Sequence, residues 1–311
     1  MLTVDTVMVE SGPMSQTSMT PALPRTARRS AQLVAASGRT TLDPFVEVDW
    51  SVPIDDSTYH LPPEWLPLYG TPAWDSMTEA ARITYSRHEA AALCGAGIWF
   101  ENLLMQSVLR HLAELPVTHP AHRYLLVEVA DECRHSTMFG EFIRRAGTPA
   151  YRPTRSGVGG IDGLPGGQAM SYLLILAVEE LLDAANRATM NDERVHSVAR
   201  QVARLHVLEE ARHVSFAKTY LAEVWPTLTA ADREAALDVA PIAVNAIAEV
   251  IVDPDVYRTL EIQDGEAQAR ANPHHRARIT EGLAKLTGFL AQLGVIDDER
   301  RPVWEELGLV A

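Results

Sequence analysis

The sequence predicts an all-α protein built around a four-helix bundle with one long crossover. Long proline-free stretches carry apolar residues at helical spacing, and few stretches alternate with the period of two that marks strands. Residues 147–167 hold ten glycines and prolines, so a long loop separates one helix pair from the next. This connectivity is that of ferritin-like bundles. We expect almost no sheet.

Capping residues and prolines set the predicted helix limits. The first long helix is predicted to begin at the capping box Ser76-x-x-Glu79 and to run to Glu114, before Pro116. The next opens at Pro120 and ends at Gly147. Further helices are expected at about residues 168–190, 192–225, 230–252 (kinked by Pro241) and 273–293.

The first 74 residues differ in composition from the rest. Residues 1–30 are rich in serine, threonine, proline and arginine, and we expect them to be mobile. Residues 44–74 combine prolines with Trp50, Tyr59, Trp65 and Tyr69, which predicts an irregular arm whose aromatic side chains pack onto the body. The predicted division is therefore 1–74, a mobile N-terminus and irregular arm, and 75–311, a ferritin-like helical domain with extra C-terminal helices.

Composition excludes several classes of function. Hydrophobic residues make up 47% of the 311 residues, enough for a sizeable core. A net charge of −14 argues against nucleic acid or an anionic membrane surface as partner. No apolar stretch approaches the ~18 residues of a membrane span, and no secretory signal is visible. Cys94 and Cys133 form no CxxC pattern, which excludes a disulfide scaffold and a zinc ribbon and fits the cytoplasm.

A repeated five-residue pattern points to chemistry. Residues 131–135 read Asp-Glu-Cys-Arg-His, and residues 209–213 read Glu-Glu-Ala-Arg-His. A glutamate and a histidine three apart share one face of a helix, so Glu132 with His135 and Glu210 with His213 could each reach one metal ion.

A bare Glu-x-x-His pair is weak evidence by itself. Random placement yields roughly one such pair in a chain of this composition. A third pair, Glu193 with His196, lies in a polar segment after Asp192, and we interpret it as structural. The other two pairs are distinguished by their shared context and by an upstream partner.

That partner is a glutamate 31 residues before each Glu-x-x-His pair. Glu101 precedes Glu132, and Glu179 precedes Glu210, each within an otherwise apolar helix. An unpaired buried carboxylate costs several kcal/mol, so each needs a partner or a metal. One glutamate from each of two helices plus Glu-x-x-His from the other two is the ligand set of di-iron and di-manganese bundles. Glu180 is the alternative to Glu179, since only one of the two can face the metals.

His206 lies four residues before Glu210 and seven before His213, on one helix stripe. We predict that it is a ligand, the alternative being a packed core histidine. Glu128 occupies the matching place in the first half and is either a supporting carboxylate or a solvated one. The candidate groups for orienting the ligands are Asp131, Arg134, Asp183, Glu209 and Arg212. The competing explanation for the glutamates is a set of buried salt bridges with Arg134 and Arg212.

The whole pattern resembles the p-aminobenzoate N-oxygenase family, the AurF-like di-iron oxygenases, whose distinguishing feature is the third histidine. The resemblance covers roughly residues 85–225. It implies the metal ligands Glu101, Glu132, His135, Glu179, His206, Glu210 and His213. It also implies two iron ions (manganese being possible), O2 as co-substrate, an external electron donor, a small-molecule substrate and a homodimer.

The family's best-known members oxidise an aryl amine towards hydroxylamine, nitroso or nitro products, which is the expected function. The alternatives are a hydroxylase or desaturase of a C–H substrate on the same centre, a ferritin-like metal-storage protein, and a helical protein without metal. Gly95 and Gly97, just before Glu101, either leave room for a substrate or O2 channel or allow close helix packing.

Overall fold

The computed structural model of the protein describes residues 23–153 and 163–311. These residues form twelve α-helices and no strand, so the all-α prediction is confirmed. One isolated bridge joins Tyr59 to Val195 in the described part of the chain. The helices are α1 (Pro24–Ser37), α2 (Pro44–Glu47), α3 (Pro72–Ser76), α4 (Glu79–Glu114), α5 (Pro120–Ala146), α6 (Gly167–Asn191), α7 (Ser197–Val224), α8 (Ala230–Val250), α9 (Pro254–Thr259), α10 (Gly265–Ala271), α11 (Pro273–Gln292) and α12 (Arg301–Glu306).

The four helices α4 to α7 form a bundle. The most extensive helix contacts join α6 to α7 and α4 to α5, and further contacts join α4 to α6 and α5 to α7. The segment between α5 and α6 is the long crossover of the prediction, and residues 154–162 within it lie outside the described part. Outside the bundle, α8 and α11 both pack against α6.

Two predicted helix starts are wrong. Thr78 caps α4, because its hydroxyl accepts the backbone N–H of Ala81, whereas Ser76 ends the short helix α3. The fourth bundle helix begins at Ser197 rather than near residue 192, because the His196 side chain caps it by accepting the backbone N–H of Val198. Capping hydrogen bonds, which depend on local backbone geometry, decide both limits.

The other limits follow the prolines and glycines. Gly147 ends α5 in the left-handed conformation with φ 65°, where a residue without Cβ is favoured. Pro241 lies inside α8 without ending it. The short helices α9, α10 and α12 have too few residues for a periodic pattern to reveal them.

The expectation of a mobile segment up to residue 30 is wrong for α1. Its buried face consists of Thr26, Ser30, Leu33 and Ser37, which are mostly small polar residues at helical spacing. This face packs on α5 and α7, and the backbone N–H groups of Arg25 and Thr26 donate to the Glu223 carboxylate. The polar composition of this segment suggested disorder. In the structure, short hydroxyl side chains occupy buried positions that apolar side chains usually fill. Residues 1–22 lie outside the described part.

The arm after α1 packs onto the bundle through its aromatic residues. Trp50, Tyr59 and Trp74 are buried and share one apolar core with residues of α4 and α5. The arm contains the short helices α2 and α3 but is otherwise irregular, as expected. The division of the chain at residue 74 stays a prediction.

The apolar core is divided into two parts along the bundle. On α4, Ala92 belongs to one part and Leu104 to the other, and on α7 the same holds for Leu205 and Phe216. Between these positions lie the buried Glu101 on α4 and the buried His206, Glu209, Glu210 and His213 on α7. The bundle therefore contains a polar layer between two apolar cores.

Two segments, Glu79–Glu114 and Ala230–Thr259, are long and apolar enough to cross a membrane by length and composition alone. Half of each apolar window is buried inside the fold. The first carries the buried Glu89, Glu101 and His111, whose burial among other helices is typical of a core helix. The absence of a membrane partner stays a prediction.

The two glycines before Glu101 have different surroundings. A Cβ on Gly95 would lie 2.3 Å from the backbone oxygen of Tyr151, so Gly95 permits close packing of backbone against helix. A Cβ on Gly97 would lie 3.0 Å from the Phe139 ring, and Gly97 lines a cavity. Each of the two explanations offered for these glycines thus fits one of them.

We expect Gly95→Ala to lower the free energy of unfolding by about 1–3 kcal/mol, because the backbone of Tyr151 must move away. The measurement is urea unfolding followed by circular dichroism. Gly140→Ala is the control, since Gly140 is also helical but a Cβ there meets nothing within 4 Å, and it should stabilise by about 0.5–1 kcal/mol. Equal stability of the two variants would contradict the close contact at Gly95.

Candidate metal centre

The polar layer contains all seven residues that the sequence predicts as ligands. Each of them is at most 2% exposed. Glu101 lies on α4 and Glu179 on α6, while the other five come from α5 and α7. They are Glu132, His135, His206, Glu210 and His213.

Three overlapping groups of these residues place their ligand atoms within 4.8 Å of one another. Each group is fully buried. Glu101, Glu132 and Glu210 each belong to two of the three groups, so the groups form one continuous cluster. They consist of Glu101, His135, His206 and Glu210; of Glu132, Glu210 and His213; and of Glu101, Glu132 and Glu179.

The two Glu-x-x-His pairs face each other across the bundle. Within the pairs, His135 Nδ1 lies 2.9 Å from Glu132 Oε2, and His213 Nδ1 lies 2.8 Å from Glu210 Oε2. Between the pairs, His213 Nδ1 lies 2.8 Å from Glu132 Oε1, and His135 Nδ1 lies 3.0 Å from Glu210 Oε1. Both histidines therefore turn Nδ1 towards the same glutamates.

The acid before each pair holds the histidine of the opposite pair. Glu209 Oε2 lies 3.0 Å from His135 Nε2, and Asp131 Oδ2 lies 3.2 Å from His213 Nε2. A carboxylate accepts a hydrogen bond, so each Nε2 carries a proton, and each Nδ1, which faces the cluster, would present its lone pair to a bound metal ion. Such carboxylate–histidine pairs fix the tautomer and orientation of metal-binding imidazoles.

The two arginines pair with these outer acids. Arg212 lies 3.1 Å from Asp131 and 3.2 Å from Glu209, and Arg134 also contacts Asp131. Among the ion pairs of the described residues, none joins an arginine to any of the four inner glutamates. The salt-bridge explanation of those glutamates is therefore disfavoured.

Glu179 rather than Glu180 faces the cluster. Glu180 pairs with Lys218 and lies 3.9 Å from Lys285. Asp183 pairs with Arg187 at 2.7 Å and with Lys285 at 3.1 Å, so the expectation that it supports the cluster is wrong. Its spacing from Glu179 puts it on the same side of the helix, but neighbouring cations draw its carboxylate away.

His206 reaches the cluster through Nε2. This atom lies 3.5 Å from Glu101 Oε1 and 3.5 Å from Glu210 Oε1. On the other side of the ring, Nδ1 lies 3.1 Å from the amide of Asn186 on α6. Burial lowers the pKa of His206 to about 4, which leaves the neutral imidazole that metals bind.

Glu128 is fully buried, which favours the supporting role over the solvated one. Burial raises its pKa to about 8. Neither of its oxygens makes a hydrogen bond of normal geometry, and the Tyr124 hydroxyl is in the same situation. Glu128 and Tyr124 form a polar pair on α5, one and two turns before Glu132.

Bound cations would stabilise the buried carboxylates of the cluster. Burial, followed by the charges of neighbouring glutamates, holds the pKa of Glu101 and Glu179 well above the usual range. Burial opposes ionisation of Glu210 too, yet the histidines around it hold its pKa well below the usual value. Glu179 Oε2 has no hydrogen-bond partner. Four carboxylates and three imidazoles, with an orphaned oxygen among them, fit iron or manganese ions.

The third Glu-x-x-His pair is structural, as interpreted from the sequence. His196 caps α7 and its Nε2 lies 3.2 Å from the Pro53 carbonyl oxygen. Glu193 is exposed. Neither takes part in the cluster.

Comparison with known proteins gives the family. The family model described as P-aminobenzoate N-oxygenase AurF matches residues 24–294. The chain belongs to this family. Membership supports an oxygenase of the di-iron class, and the buried glutamates and histidines could hold the metal.

Uncharacterized proteins from mycobacteria are similar over much of the chain. Rv0885 of Mycobacterium tuberculosis strain H37Rv and Mb0909 of Mycobacterium bovis are each 27% identical over 234 residues. Each match covers 72% of this chain and 68% of the relative.

Sequence reasoning missed Asn186 and Phe139. Asn186 lies seven residues after Glu179, and Phe139 four after His135, so helical periodicity alone would place both beside the cluster. The Phe139 ring lies 5.1 Å from the His206 ring. An amide and a phenyl ring carry no ligand signal, which is why the motif did not include them.

Which side of α6 faces the cluster can be tested by replacing two neighbouring glutamates in turn. We expect Glu179→Gln to lose most bound iron, because it removes a cluster carboxylate, and Glu180→Gln to retain it, because it changes only a contact with lysines. The measurement is metal content by plasma mass spectrometry after iron reconstitution. Iron loss in Glu180→Gln with retention in Glu179→Gln would contradict the assignment.

Proposed function

We propose that the chain is an O2-dependent non-heme di-iron oxygenase that oxidises the nitrogen of an aryl amine. The observation that carries the proposal is the single buried cluster that unites Glu101, Glu179, two Glu-x-x-His pairs and His206. Family membership supports it. Manganese stays an alternative metal.

The overlapping groups suggest how two ions are held. Glu101, His135, His206 and Glu210 would hold one ion, and the residues that the other two groups add, Glu132, Glu179 and His213, would hold the second. When bound, such a pair of ions supplies the activation of O2 and the electrons for its first reduction. The remaining electrons require an external donor.

The chain's own groups orient the ligands and keep water out. Asp131 and Glu209 hold the two Nδ1 atoms towards the ions, and the arginines hold these acids in turn. Phe139 covers the rings of His135 and His206. A rigid, dry surrounding of this kind protects a reactive centre from hydrolysis and side reactions.

A cavity beside the cluster favours a substrate enzyme over a metal-storage protein. Its lining includes Gly97, Phe139 and Asn186, each of which adjoins a cluster residue. Storage of a mineral needs no enclosed apolar cavity at the metal site. A hydroxylase or desaturase of a C–H substrate would use the same centre, so product analysis must separate it from an N-oxygenase. We also propose a homodimer in the cytoplasm.

We expect the reconstituted protein to bind about two iron ions per chain and, with O2 and a reductant, to add oxygen from O2 to an aryl amine nitrogen. The measurement is iron content together with mass spectrometry of products formed under ¹⁸O2. The Glu132→Ala/Glu210→Ala double variant is the control without metal. Less than about 0.3 iron per folded chain would contradict the metal centre, and ring hydroxylation alone would favour the C–H alternative.

His206→Ala tests the third histidine. We expect it to keep the bundle and most of the iron but to lose about 100-fold in N-oxygenation, because ligand-shell changes act on chemistry more than on the fold. The measurement is turnover per bound iron. His111→Ala is the control, since His111 is also buried but bonds Tyr172 away from the cluster. Wild-type turnover in His206→Ala would mean that His206 is a packing residue.

A further inference from the structure

A cavity lies inside the bundle next to the metal cluster. Its lining is mostly apolar and aromatic. The largest of these side chains are Leu61, Leu93, Phe139, Phe142 and Leu182.

One end of the cavity adjoins the cluster. Gly97 lies one turn before Glu101, and Asn186 contacts the His206 ring at 3.1 Å. From His206, the lining continues along α7 to Ala199, seven residues or roughly 10 Å away. The cavity thus extends along α7 from the cluster to a far end near Ala199.

His60 of the N-terminal arm lies at that far end. Its ring stacks on the His196 ring with centroids 5.2 Å apart, and it meets Phe142 edge-on at 6.4 Å. Its backbone N–H donates to the Ser86 hydroxyl on α4. His60 is 0% exposed, so these contacts fix the ring in place.

The tautomer of His60 follows from its partner. Nε2 lies 2.8 Å from the Asp55 carbonyl oxygen, which can only accept, so Nε2 carries the proton. Nδ1 is then a bare acceptor, and it has no hydrogen-bond partner in the protein. Burial lowers the pKa of His60 to about 4, so the ring is neutral at pH 7. Buried polar atoms nearly always have a partner, and a donor in the cavity would supply one.

The charge of the lining narrows the choice of ligand. No aspartate, glutamate, lysine or arginine occurs among the described residues that line this cavity. Cys94 also lines it, and burial raises the pKa of its thiol to about 12, so it stays neutral. A carboxylate placed here would meet the Nδ1 lone pair without a lysine or arginine to balance its charge, which disfavours its binding.

We propose that the cavity selects an uncharged aromatic substrate that carries a hydrogen-bond donor, such as a hydroxyl, which it donates to His60 Nδ1 at the end away from the metals. This inference rests on the proposed function, because it names the substrate class of that same site. It distinguishes this chain from an enzyme for an aminobenzoate, whose carboxylate would find no lysine or arginine among the lining residues.

The test is anaerobic binding of phenol, toluene and benzoate to the iron(II)-reconstituted protein by calorimetry. Phenol and toluene share one shape and differ by a donor, and benzoate adds a charge. We expect phenol to bind at least tenfold more tightly than benzoate. In His60→Phe, the preference for phenol over toluene should fall about fivefold or more, because one hydrogen bond is lost.

His274→Phe is the matched control. His274 also donates from Nε2 to a backbone oxygen, that of Glu64 at 2.9 Å, but it does not line the cavity. The His274→Phe variant should leave the affinities for phenol, toluene and benzoate unchanged. Thermal melting by circular dichroism shows whether His60→Phe and His274→Phe fold. Should His60→Phe not fold, His60→Gln, which keeps polar atoms but moves the acceptor, must shift the phenol preference in the same direction.

Benzoate binding as tightly as phenol, or an unchanged phenol preference in a folded His60 variant, would overturn the proposal. Failure of the proposed function has a different signature. In that case phenol and benzoate follow the expected order, yet no aryl amine yields an N-oxygenated product.

Discussion

Four carboxylates buried within one cluster are the constraint on which the structure depends. Glu101, Glu132, Glu179 and Glu210 lie where water cannot stabilise their charge, and the arginines nearby are occupied by other acids. Burying several like charges together is costly unless cations compensate them. Each of the four bundle helices contributes one of these carboxylates, so the same interaction that binds the metals would also hold the helices in register.

Four of the five positions in the repeat make contacts in or around the cluster. The first acid orients the histidine of the opposite helix, the glutamate and histidine face the cluster, and the arginine pairs with the outer acids. The two helices therefore depend on each other, because neither repeat fixes its own histidine alone. This reciprocity explains why the context of the motif, and not a bare Glu-x-x-His, carries the signal.

The arm before the bundle contributes more than stability. His60 enters the bundle end from this arm, stacks on the cap of α7 and ends the cavity. The arm, α4 and the cap of α7 thus meet at the end of the cavity away from the metal cluster. The proposed selection by His60 would place specificity in a segment outside the metal motif, which agrees with the rule that function lies in sites placed on a fold.

The sequence predicted what depends on helical periodicity and missed what depends on tertiary contacts. The bundle, its four long helices and the residues that the cluster brings together follow from repeats with fixed spacing. Helix α1 was missed because its buried face is made of threonine and serine, and the start of α7 because a histidine caps it. Asp183 was placed at the cluster by spacing, whereas Arg187 and Lys285 draw it elsewhere. His60 could not be found from spacing, since its position depends on how the arm packs, and Asn186 was missed because an amide carries no ligand signal.

The most direct measurement is anomalous X-ray diffraction at the iron absorption edge from crystals of the iron-loaded protein. The account predicts two anomalous peaks inside the cluster, one beside His135 and His206 and the other beside His213, with Glu132 and Glu210 between them. A single peak, or iron bound only at surface carboxylates while the seven buried residues keep their mutual contacts, would contradict it.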